Sequence, residues 1–84
     1  MTRLLVPAER VTLDADDGGI PIAFQWDGRK HMVVEVAERW RADTEWWRIH
    51  QRREHFIVVT NTRLLLMIYC DLIRREWYVQ RIFD

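Results

Sequence analysis

The sequence predicts an all-β fold: a small antiparallel barrel or strongly curved sheet of SH3-like architecture, with five to six short strands and at most one short helical turn. Three observations lead there. Ile20, Ile22, Phe24 and Trp26 alternate with Pro21, Ala23, Gln25 and Asp27, the period-two pattern of a half-buried strand. Runs rich in β-branched and aromatic residues recur at 55–60, 64–69 and 77–83. Turn-forming residues separate these runs, and no segment keeps a 3.6-residue period long enough for a full helix.

Taken in order, residues 1–19 read as an acidic N-terminal arm or edge strand, and 20–84 as a single β-domain. Val11, Thr12 and Leu13 have strand character, whereas Asp14, Asp16, Asp17, Gly18 and Gly19 make an acidic, breaker-rich stretch. The strand over 20–26 meets Asp27-Gly28, a pair that accepts positive φ cheaply, and Met32, Val34 and Val36 then alternate, so a β-hairpin is expected. Beyond Val36 the pattern fits a continuing strand better than a helical turn, although Val36, Ala37 and Trp40 also stand at helical spacing. Residues 42–45 have turn composition, 46–49 are short enough for a brief strand, and 50–54 lack apolar positions and read as an exposed loop. A strand is expected at 55–60, a turn at Asn61-Thr62, and a strand at 64–69 apolar enough to be covered on both faces. Residues 71–75 connect it to a last strand at 77–83.

Composition limits the function. An 84-residue chain makes one domain with a modest core, and 49% apolar with 31% charged residues argues against wholesale disorder. The lone Cys70 cannot form an internal disulfide, and no apolar run approaches a membrane span, so a cytoplasmic protein with no membrane partner is expected. Formal charge is zero, which removes any global attraction to nucleic acid. Residues 1–27 are net acidic and the remainder mildly basic; twelve of the thirteen bases are arginine, favouring planar and stacking contacts.

Chemical motifs are sparse. His31, His50, His55 and Cys70 show none of the zinc spacings, so no metal and no cofactor is expected. Cys70 sits in an apolar run and reads as a buried, inert thiol rather than a nucleophile. Glu35, Glu38, Asp43 and Glu45 read as a solvated edge, and with glycine only at 18, 19 and 28 there is no phosphate loop. No catalytic residue is assigned. The five tryptophans are the one constellation with content, because indole supplies either core bulk or a gripping surface. Trp26, Trp40 and Trp77 are assigned to the core. Trp46, Trp47, Arg48, Arg52 and Arg53 form the candidate contact face; neighbouring strand residues face opposite sides, so the two adjacent rings are both buried only if both faces are covered, and whether the pair is core or surface stays open.

The order Trp26-Asp27-Gly28, Val33 to Val36, Arg39-Trp40-Arg41, Trp46-Trp47, 55–58, Tyr69-Cys70-Asp71 and the closing Trp77-Tyr78-Val79-Gln80-Arg81-Ile82-Phe83-Asp84 resembles a family of small bacterial domains of unknown function. Its members end in a Trp-Tyr-x-x-Arg-x-Tyr/Phe-Asp motif and occur alone or with the polymerase-like subunit of the DNA-damage mutasome. The resemblance covers about residues 20–84 and implies a non-catalytic accessory domain in DNA repair or translesion synthesis that binds a protein partner or DNA. Two departures stand out: no glycine at Asn61-Thr62-Arg63, and an unusually apolar 65–68 that fits a self-association surface. The function expected is a non-enzymatic interaction module. The alternative is an obligate homo-oligomer whose aromatic patch is its own interface.

Overall fold

The computed structural model describes residues 2–47 and 49–83. They form six antiparallel strands, β1 (Thr2–Ala15), β2 (Pro21–Trp26), β3 (Arg29–Trp46), β4 (Ile49–Thr60), β5 (Leu65–Asp71) and β6 (Glu76–Phe83), each hydrogen-bonded to its neighbours in sequence and closed by β1 on β6. The described residues contain no helix. The small antiparallel barrel expected from the sequence is therefore present, with six strands.

The interior is filled by Val11, Phe24, Phe56, Val58, Leu66, Ile68, Val79 and Ile82, with Leu13, Val33, Val36, Trp26 and Trp77 packed against them. Where the register is regular the core residues are two apart, as in Phe56 with Val58 and Leu66 with Ile68. Where a bulge interrupts it they are three apart. Met67 faces Arg81 but Ile68 faces Val79, so Gln80 is an extra residue that turns both Val79 and Ile82 inward. Val34 and Ala37 play the same part on β3, bringing Val33 and Val36 to the core side.

Closure requires a stagger between strands. Going one way round, Thr12 lies opposite Gln25 and Gln25 opposite Lys30. Going the other way, Val11 faces Trp77, then Cys70, Glu54 and finally Arg41, so the circuit returns to β3 far beyond Lys30. The upper end of β3 consequently outruns β2, and β4 outruns β5, whose last partner on β4 is Arg53. Among the described residues those overhangs are ladder partners of each other, with one further bond from the Leu72 N–H to the Arg52 carbonyl at 2.9 Å, and they make a two-stranded arm whose tip is the turn after Trp46. This differs from the sequence expectation: residues 42–45 and 50–54, read as a turn and a loop, are strand. Paired in the arm, a stretch without apolar positions needs no core of its own.

Residues 2–15 also differ from the expected arm or edge. They form a strand hydrogen-bonded to β6 through 2–4 and 9–11 and to β2 through 12–15, with Val11 in the core. The acidic stretch that follows is a tight loop in which Asp16 Oδ1 accepts the backbone N–H groups of Gly18 and Ile20, each at 2.9 Å.

Two other turns explain their own residues. Asp27 (φ 53°) and Gly28 (φ 75°) both have positive φ, as the type I′ hairpin needs. At 61–63, Arg63 adopts φ 66°. Arg63→Gly is accordingly expected to raise the unfolding free energy by up to about 1 kcal/mol, because relief of left-handed strain exceeds the added unfolded-state entropy. A urea titration of both proteins checks this. Buried His31 ties these two turns together, its Nδ1 2.7 Å from the Thr62 hydroxyl and its Nε2 3.2 Å from the Trp26 carbonyl. Thr60 extends the chain at 2.7 Å from Thr62. This histidine has a structural role.

Candidate functional site

Across strands β3 to β6 the register aligns Trp40 with His55, His55 with Tyr69, and Tyr69 with Tyr78. Because Phe56 points inward, His55 and its row point to the outer face of the barrel. The rings contact one another in sequence, with centroids 5.2 Å apart for Trp40 and His55, 5.4 Å for His55 and Tyr69, and 5.1 Å for Tyr69 and Tyr78. Trp40 thus belongs to an outer aromatic ladder rather than to the core assigned to it. Trp26 and Trp77 do pack on the core, and the Trp26 indole also donates to Glu9 at 2.9 Å, fastening β2 to β1.

Arg53 lies over the ladder, its guanidinium carbon 4.5 Å from the Tyr69 ring centre. Its Nε, like Nδ1 of His55, is buried without a hydrogen-bond partner among the described residues. Burial, and then the positive charge of Arg53, lower the pKa of His55 from its ordinary 6.5. The fold therefore favours neutral His55. Stability is held above about pH 6.5 and declines as pH falls through that value toward the lower folded-state pKa, the range in which the unfolded chain binds the extra proton. Urea midpoints at about pH 7.5 and 5.5 check this: the difference should be larger in the wild type than in His55→Phe.

Beside the ladder is a groove of about 500 Å³. Arg53, Tyr69 and Tyr78 line it from the barrel, His50 and Gln51 from the arm, and Pro7 and Ala8 from the irregular part of β1. Asp71, Ile73 and Arg74 come from the β5–β6 turn, where Asp71 Oδ1 accepts the N–H groups of Ile73 (3.0 Å) and Arg74 (3.1 Å). The Tyr78 hydroxyl donates to Glu76, and that bond first, with desolvation next, raises its pKa. Cys70 is buried; desolvation, then Asp71 and Glu54, raise its thiol pKa, as expected of an inert cysteine. No group of three or more His, Cys, Asp or Glu side chains gathers among the described residues.

Of the contact residues read from the sequence, Trp46 and Trp47 stand at the arm tip, 67% and 76% exposed. Both side chains are therefore largely exposed, which answers the question the sequence leaves open. Arg48 lies outside the described residues. Arg52 and Arg53 are on opposite faces of the arm, Arg52 opposite Asp43 and Arg53 opposite Ala42, on the face shared with Trp40 and Trp46. The four described residues do not make one flat face. The groove went unread because Pro7, Tyr78 and Arg74 are far from one another or from Arg53 in sequence and meet only on closure.

Six staggered strands, an outer aromatic ladder and an overhanging arm define a small antiparallel β-barrel domain with a lateral groove. Residues 3–84 match the family described as a domain of unknown function, DUF6504, and the chain belongs to that family. No curated protein and no solved structure matches it.

Proposed function

We propose that this domain is a non-enzymatic interaction module that grips a protein partner with the tip of its β3–β4 arm. The observation that carries this reading is the pair of exposed indoles, Trp46 and Trp47, on a support that holds them away from the core. Exposed aromatic anchors on a rigid strand pair are the residue type that dominates interface energetics. Over 42–52 the sequence sets Asp43 and Glu45 against Arg48 and Arg52, a formal charge of zero, so the arm has no net attraction to a phosphate backbone, which favours protein over nucleic acid. The resemblance to domains that accompany the polymerase-like mutasome subunit makes that subunit the first partner to try, with an accessory role in bacterial DNA repair.

The test is a calorimetric titration with that subunit, beside anisotropy titrations with single- and double-stranded DNA at two salt concentrations. Protein binding that weakens when both indoles are removed supports the reading. Salt-sensitive DNA binding that outcompetes the protein transfers the role to nucleic acid, and absence of binding to either overturns it. A second reading, a homo-oligomer, draws on the open strand edge. Past Met32, β3 pairs with β4 alone, leaving its other edge over 33–46 without a neighbouring strand among the described residues. Light scattering that reports a monomer across a hundredfold dilution would remove it.

A further inference from the structure

We infer that the groove between the arm and the β5–β6 turn is a binding site for an acidic peptide segment, one that sets a carboxylate between Arg53 and Arg74 and an apolar side chain against Pro7, Ile73 and Tyr78. The inference rests on the protein-partner reading above and names the chemistry of a second contact point for that partner.

Arg53 and Arg74 both line the groove, and neither has a carboxylate within salt-bridge distance among the described residues. The one carboxylate in the lining, Asp71, already accepts two backbone N–H groups and so serves the turn. The guanidinium of Arg53 is seated over Tyr69, 4.5 Å from the ring centre, so less side-chain freedom is lost when it meets an anion than for a mobile arginine. A guanidinium pair suits a carboxylate bidentately. Ile73, 51% exposed, with Pro7 and Tyr78, supplies the apolar wall. A nucleic-acid strand fits less well. Tyr69 is only 6% exposed beneath Arg53, so its ring face is not open for base stacking.

The test is fluorescence anisotropy with three labelled probes: a short peptide of alternating Asp and Phe, the same peptide with Asn for Asp, and an oligothymidylate of matching length. The Asp peptide is expected to bind, the Asn peptide about tenfold more weakly, and Arg74→Gln to weaken the Asp peptide about tenfold. Arg63→Gln, in the opposite turn, is expected to leave binding unchanged. Arg53→Gln should match Arg74→Gln; Arg74 is on an exposed turn, so its variant decides the matter if loss of Arg53 disturbs the fold. Equal binding of the Asp and Asn peptides, an unaffected Arg74→Gln, or preference for oligothymidylate would each overturn the inference. The variant with serine at both 46 and 47 separates the two readings. Retained peptide binding without partner binding isolates the arm, and lost peptide binding in Arg74→Gln with partner binding intact isolates the groove.

Discussion

Phe56→Ala is expected to lower the unfolding free energy by about 3–5 kcal/mol, comparable with the whole stability of a domain this small. Phe56 is fully buried, and its ring meets Trp77 at 5.5 Å while the Arg39 guanidinium lies 5.5 Å from its centre. Truncation would remove the transfer energy of the ring and leave a cavity where β4, β5 and β6 converge. Strands fastened by a closed hydrogen-bond circuit cannot collapse far into that space, which places the cost toward the upper end. Urea unfolding followed by tryptophan fluorescence reads the effect. Val59→Ala, half-buried on the outer face of the same strand, should lose no more than about 1 kcal/mol. Equal losses for the two variants would mean that the interior assigned here is not the core.

Replacing Trp46 and Trp47 with serine is expected to have the converse profile. Stability should change by about 0.5 kcal/mol or less, since both side chains are mostly in solvent. Affinity for the protein partner should fall at least about thirtyfold, the effect of removing an aromatic anchor worth 2 kcal/mol or more. The comparison is made by calorimetry on samples with matched urea midpoints. Unchanged affinity in a folded variant would remove the arm tip from the interface.

Much of the fold was legible because it depends on local pattern. The alternation over 20–26 and the Asp27-Gly28 turn gave the β2–β3 hairpin, the runs at 55–60 and 77–83 each lie within a strand, and the run at 64–69 does so from Leu65. The apolar stretch at 65–68 divides as period two requires, Leu66 and Ile68 to the core and Leu65 and Met67 outward. On β3 the expected alternation of Met32, Val34 and Val36 fails: Met32 and Val34 are exposed and Val33 joins Val36 at the core, because of bulges at Val34 and Ala37, and a bulge leaves no signature in one sequence. The polar stretches 42–45 and 50–54 were misread for another reason: a strand that serves an arm has no core face to reveal it.

The sequence by itself determined the class of structure, a one-domain antiparallel barrel, and the residue types available for contact. Two adjacent indoles near arginines were visible there, though not their exposure, because composition and alternation are local properties. Tertiary structure decided their placement. The stagger that closes six strands carries β3 past its neighbours, lifts Trp46 and Trp47 to the tip of an arm, sends Arg52 and Arg53 to opposite faces, and brings Pro7, Tyr78 and Arg74 to one groove. Register between strands far apart in sequence is set by which bulges and core side chains fit together on closure, and that choice is made only by the whole chain.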